Sequence, residues 1–236
     1  MKRGMKRALA FITAIVIAAV LIIKPGDGVV TVQAEEVTMN VGNVAELDEA
    51  FRTSEDVKVT LTDNINITTS YNAKKSMTID LNGHTITDNR GDGIFKIADG
   101  AHLIITDSSG GGMLASSAPS AIYMSGGTLE ISGGQIQSTG TGGASVTAIN
   151  MESGTLNISG GQIKSIGSNG KAIKASAGTI NITGETIISS QYIGLDIYST
   201  SADAKLTAGI KGGSLSGSFA ALQIGSYCEV TIGADG

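Results

Sequence analysis

Short bursts of alternating apolar and polar residues dominate the chain beyond residue 56. TLEISGGQIQS (Thr128–Ser138) recurs as TLNISGGQIKS (Thr155–Ser165), then more loosely as TINITGETIIS (Thr179–Ser189) and KLTAGIKGGSLS (Lys205–Ser216). MTIDLNGHTIT (Met77–Thr87) and HLIITDSSGGGMLAS (His102–Ser116) share the outline upstream, and EVTIG (Glu229–Gly233) opens another copy downstream. Period-two alternation rich in β-branched residues predicts strands rather than helices. Each copy carries three apolar positions. The central one aligns Leu81, Ile105, Ile131, Ile158, Ile182, Ala208 and Ile232, in steps of 24 to 27 residues. A pair precedes it: Phe95/Ile97, Ile122/Met124, Ile149/Met151, Ile173/Ala175, Leu195/Ile197 and Leu222/Ile224. A third follows a Gly-rich corner: Ile86, Leu114, Ile136, Ile163, Ile187 and Leu215.

A unit of about 25 residues with three short strands cannot bury its own apolar face, so the units must stack. At about 4.8 Å per turn, like residues fall over like residues and form interior ladders. The expected fold is all-β: a right-handed, single-stranded parallel β-helix with three short strands per rung and about six to seven rungs. Its first rung needs a lid, because an open end exposes core and strand edges. Asn43-Val44-Ala45-Glu46 reads as a helix N-cap, and Val44, Leu47 and Phe51 share one helical face, which predicts a short capping helix. The first strands are expected in VKVTLTDNINITTS (Val57–Ser70). The chain therefore divides into a leader (1–34), an N-terminal segment with the capping helix (35–56) and the β-helix (57–236). The last opens a rung at its end and is expected to continue in a longer protein.

Composition changes this picture in two ways. Lys2, Arg3, Lys6 and Arg7 precede the uncharged run Ala8–Ile23, and Val32-Gln33-Ala34 supplies small residues for cleavage after Ala34. This is the pattern of an export signal, placing the rest at the cell surface or outside the cell, with membrane contact only through the signal. Beyond residue 34 the chain has 11 Lys/Arg against 20 Asp/Glu, an acidity that argues against nucleic acid as a partner. Cys228 is the single cysteine, expected as a small buried hydrophobe, so no intrachain disulfide forms.

The stretch AELDEAF, VKVTLTDNINITTS and SMTIDLNGHTIT, followed by the GGT-L-x-I-S-G-G repeats, resembles the pectate-lyase-like right-handed parallel β-helix proteins of Gram-positive bacterial surfaces. The resemblance spans about residues 40–236. It implies the fold, but that fold carries lyases, hydrolases, adhesins and stalks alike. Enzymes on it place clustered carboxylates on consecutive rungs, with a basic residue one strand away.

Here the outward ladders read Lys96, Tyr123, Asn150, Lys174, Asp196, Gln223 on one strand. On the next they read Asp80, Ile104, Glu130, Asn157, Asn181, Thr207, Thr231. The third is flanked by Thr85/Thr87, Gln135/Gln137, Gln162/Lys164, Thr186/Ile188 and Ser214/Ser216. Asp80 and Glu130 stand two rungs apart on this reading, and no carboxylate dyad or basic catalytic rung emerges, so no catalytic residue is assigned. Threonine stacking is limited to Thr207 and Thr231. The candidates for glycan contact are Tyr123, Asn150, Lys174, Asp196, Tyr192 and Tyr198, aromatic and polar groups suited to sugar rings and hydroxyls. Asp88, Asn89 and Asp92 are the oxygen-bearing candidates for calcium, the one cofactor considered. Arg90-Gly91-Asp92 is a short receptor-type triplet that reads as a solvated corner. His84 belongs to an Asn-Gly corner, His102 is expected to be solvated, and two histidines make a zinc site untenable.

The functional expectation is a non-catalytic, exported, adhesin- or stalk-like β-helix that contacts a polysaccharide or another surface ligand of host or bacterium. The alternative is the N-terminal part of a polysaccharide lyase or glycoside hydrolase whose catalytic rungs follow this segment.

Overall fold

Each alternating run becomes a strand that pairs in parallel with the like run one turn away. The computed structural model describes residues 37–53, 56–73, 75–140 and 146–233, plus an antiparallel backbone pairing of Leu21–Ile22 with Thr31–Val32. The expected export signal and its cleavage point otherwise lie outside the described residues. Sheet A has nine strands: Val37–Val41, Val57–Leu61, Ser76–Asp80, His102–Thr106, Thr128–Ile131, Thr155–Ile158, Gly178–Ile182, Leu206–Ile210 and Cys228–Ile232. Sheet B has seven: Ile65–Ile67, Thr85–Asp88, Met113–Ser116, Gln135–Ser138, Gln162–Ser165, Ile187–Ser190 and Ser214–Gly217. Sheet C has seven: Tyr71–Ala73, Phe95–Ile97, Ser120–Met124, Thr147–Met151, Lys171–Ala175, Ile193–Ile197 and Ala220–Ile224. The chain visits A, B and C in turn, giving a right-handed parallel β-helix of about six turns.

The interior is aliphatic. Leu103/Ile105, Leu129/Ile131, Leu156/Ile158 and Ile180/Ile182 lie level in sheet A, and all are buried. The apolar pairs expected for sheet C stack as read, from Phe95/Ile97 down to Leu222/Ile224.

Two ladders differ from the expected register. In sheet A, Ile79 rather than Leu81 is level with Ile105, and Ile210 rather than Ala208 is level with Ile182. Met77, Ile79 and Leu81 all fit one period-two face, as do Leu206, Ala208 and Ile210, so alternation alone does not say which member meets the next rung. The outward order is therefore Thr78, Ile104, Glu130, Asn157, Asn181, Gly209, Thr231. Asp80 lies level with Thr106, not in line with Glu130. Thr207 stacks on Thr179, not on Thr231, and completes a column of Thr128, Thr155, Thr179 and Thr207. The Thr179 and Thr207 hydroxyls are 3.2 Å apart, and Asn181 donates to Asn157 at 2.9 Å.

In sheet B the inner residue is Ile188, not Ile187: Ile188 is level with Ile163 and fully buried, while Ile187 is 42% exposed. The outward pair on this rung is Ile187/Ser189, not Thr186/Ile188. The corner explains the slip. Ser132-Gly133-Gly134 and Ser159-Gly160-Gly161 turn in three residues, with Gly134 and Gly161 in the left-handed region (φ 75 and 82). Thr183-Gly184-Glu185-Thr186 has no glycine at the third place, and the turn takes a fourth residue. Thr186 is buried there, its hydroxyl donating to the Thr183 carbonyl at 2.9 Å. One added residue exchanges the two faces of the strand that follows.

Buried hydroxyls close the corner between sheets B and C. Asp88, Ser116, Ser138 and Ser165 stack in register at the ends of successive strands, and each is buried. Ser138 donates to the Ala118 carbonyl at 2.8 Å and Ser165 to the Val146 carbonyl at 3.1 Å, pinning the loop that leads into sheet C. Buried polar atoms need such partners, and the loop carbonyls supply them.

At the N-terminal end the helix Val44–Arg52 lies over the first rung as expected. Asn43 Oδ1 accepts from the Glu46 amide at 3.1 Å, while Glu46 Oε2 accepts from the Gly42 amide at 2.7 Å. Leu47 and Ala50 are buried, and the Phe51 ring lies 4.5 Å from Tyr71 and 5.8 Å from Phe95. Tyr71 donates to Asp48 at 2.8 Å, and burial together with that carboxylate drives its phenol pKa well up. Val37–Val41 is an unanticipated strand: it pairs with Val57–Leu61 and extends sheet A beyond the first expected strands. At the opposite end Leu215, Leu222 and Val230 are half-buried, and Phe219, Ile224, Tyr227 and Ile232 are exposed. Cys228, expected to be buried, is also half-buried on this last rung, where burial pushes its thiol pKa up.

Candidate functional site

Sheet C carries the outward column on which the glycan-contact candidates converge. Asn72, Lys96, Tyr123, Asn150, Lys174, Asp196 and Gln223 lie level from rung to rung. They face outward because each sits between two inward residues, as Tyr123 does between Ile122 and Met124. Tyr123, Asn150 and Lys174 are half-exposed on consecutive rungs. Tyr198 joins them, since Lys174 Nζ lies 5.4 Å over its ring. Tyr192 does not: its ring stacks on Phe219 at 4.9 Å at the corner between sheets B and C.

Two partners in this face were not singled out from the sequence. Glu152, in the corner after the Asn150 strand, acts on the Tyr123 phenol, and together with burial it raises the phenol pKa. Lys171 pairs with Asp196, which is 5% exposed and closed off from solvent despite its outward register. The sequence signal for Glu152 was its place two residues past the outward Asn150. Lys171, three residues before Lys174, offered no comparable cue.

Several of the remaining candidates are tied into corners by hydrogen bonds. Asp88 is 2% exposed: Oδ1 accepts from the Arg90 amide at 2.9 Å, and Oδ2 accepts from the Gly93 amide at 2.9 Å and the Ser116 hydroxyl at 2.8 Å. Its carboxylate is thus turned into the corner, while Asn89 and Asp92 are exposed on the loop. Asn82 and Gly83 (φ 47 and 80) form the tight turn closed by the His84 amide on the Leu81 carbonyl at 2.8 Å. His102 is not simply solvated, because Nε2 lies 3.0 Å from Glu130 Oε1 on the next rung. Asp107 accepts from the Gly83 and Gly112 amides at 2.8 and 2.7 Å.

Asp80 is the carboxylate most affected by its setting. Burial would raise its pKa. The Ser108 amide and hydroxyl, the Asn82 amide and the Lys58 charge outweigh burial and hold it below the usual value of 3.8. A depressed folded-state pKa contributes stability above the unfolded value, lost as pH falls through the folded one. The urea midpoint is therefore expected to fall below about pH 4, and Asp80→Asn is expected to flatten that part of the profile. An unchanged slope in the variant would remove Asp80 from the account.

No family model matches the chain, and no curated protein or solved structure matches it. The function is therefore argued from the face itself.

Proposed function

We propose that the chain is a non-catalytic, exported β-helix of a bacterial surface, adhesin- or stalk-like, contacting glycan through the outer column of sheet C. The observation that carries this reading is the placement of Tyr123, Asn150 and Lys174 on consecutive rungs, with Tyr198 alongside. A phenol, an amide and an ammonium in a row offer stacking and hydrogen bonds over several sugar residues. The resemblance to pectate-lyase-like surface proteins and the leader pattern favour the exported setting. The use of the acidic side chains favours binding over cleavage: Asp80, Asp88 and Asp107 accept from backbone amides, while Glu130 and Asp196 face His102 and Lys171.

The test is a glycan array combined with incubation on polyuronates, with and without calcium. The expected result is retention of glycan that is unchanged by chelator, with no unsaturated product absorbing in the near ultraviolet. Appearance of that product would replace the reading with a polysaccharide lyase.

A further inference from the structure

We infer that the two Asn-Gly pairs of the chain are self-modification sites of opposite standing. Asn169 loses its side-chain amide in the folded protein, whereas Asn82 loses its own only when its corner opens, and that corner then does not close again. The same reaction is open to both pairs. The amide nitrogen of the glycine attacks the asparagine side-chain carbon; a C–N bond forms there and the bond to Nδ2 breaks. Ammonia leaves with the proton given up by the glycine nitrogen. Water then opens the cyclic imide at either carbonyl, giving aspartate or isoaspartate. Glycine favours the step because it has no Cβ to obstruct the ring. The reaction needs solvent water alone, and it needs the side chain and the next amide free to meet.

The corner between sheets A and B denies Asn82 that freedom. Asn82 ties three rungs together: Nδ2 donates to the Leu61 carbonyl at 2.9 Å on the rung before, and Oδ1 accepts from the Ser109 hydroxyl at 2.6 Å on the rung after. The Gly83 amide, the nucleophile, donates to Asp107 Oδ1 at 2.8 Å, and the Asn82 amide donates to Asp80 Oδ1 at 3.0 Å. With both residues at positive φ, ring closure breaks these bonds and the turn together. Asn169 is exposed, and its side chain makes no hydrogen bond among the described residues. The Gly170 amide donates to the Gly167 carbonyl of its own short turn at 2.8 Å. Hydrolysis at residue 82 replaces a donor by an acceptor facing the Leu61 carbonyl and sets a third carboxylate beside Asp80 and Asp107. Isoaspartate also adds a main-chain carbon to a corner whose length sets the register. A rung that has once opened and reacted is therefore marked and stays open.

Warming the full chain at neutral pH, with and without urea, tests this. Tryptic peptides Ser76–Arg90 and Ser165–Lys171 carry one pair each, and mass spectrometry follows the change from amide to acid in both. In urea the two pairs are expected to react at similar rates. Without urea Asn82 is expected to react about tenfold or more slowly than Asn169, because it waits on local opening. Asn82→Asp, the product itself, is expected to melt at a lower temperature than Asn169→Asp by far-UV circular dichroism, and its failure to fold counts the same way. Equal rates at the two pairs in the folded chain, or no amide loss from either in urea, overturns the inference. So does an Asn82→Asp variant as stable as Asn169→Asp, since the opened corner would then close again.

Discussion

Ile188→Asp is expected to cost at least about 4 kcal/mol and to unfold much of the β-helix, whereas Ile187→Asp is expected to stay within about 0.5 kcal/mol of the parent. The residues are neighbours of identical type, and the repeat aligns the wrong one with the core. Ile188 is fully buried between Ile163 and Leu215, so an aspartate there loses the apolar burial and gains an unpaired charge in an aliphatic interior. Ile187 faces solvent between Gln162 and Ser214. Urea titrations followed by far-UV circular dichroism separate the two. A reversed order of midpoints would mean that the Thr183–Thr186 corner turns in three residues like its neighbours.

Asp88→Ala is expected to lower stability by about 3–4 kcal/mol, beyond what a typical surface substitution does. The carboxylate receives the Arg90 and Gly93 amides and the Ser116 hydroxyl, and Gly93 and Ser116 are themselves buried. Removing it strands several donors at once where water does not replace it. Asp88→Asn keeps one acceptor oxygen and is expected to fall between the parent and the alanine variant. Thermal unfolding of the three proteins checks the order; an alanine variant as stable as the parent would show that the corner finds other acceptors. The same result bears on Asp88 as a calcium ligand, since a carboxylate committed to three internal donors has little left for an external ion.

Much of this architecture was legible in the chain. Recurrent TLxISGGQI units dictated strands of period two, and units too short to bury themselves dictated stacking into a solenoid. The capping helix was readable at Asn43 and Glu46, because N-caps are local chemistry. The sheet C column was readable too, since each apolar pair brackets a single residue and Tyr123, Asn150 and Lys174 each occupy that middle place. Less legible were the buried Ser116, Ser138 and Ser165, whose polarity conceals an inward position, and the strand Val37–Val41, whose partner is 20 residues further on.

The sequence by itself determined which residues alternate, how many strands each turn holds and which end carries a lid. These follow from local periodicity and from the area an isolated unit leaves exposed. Only the tertiary structure decided which residues lie level. Corner length sets the register, and a glycine at the third place of a turn or its absence changes that length by one. The same holds for charge on the outer face. Lys171 and Asp196 are 25 residues apart, and they meet because one rung lies directly on the next. That contact occupies Lys171 and closes Asp196 off from solvent, a fact that belongs to the stacking rather than to any single repeat.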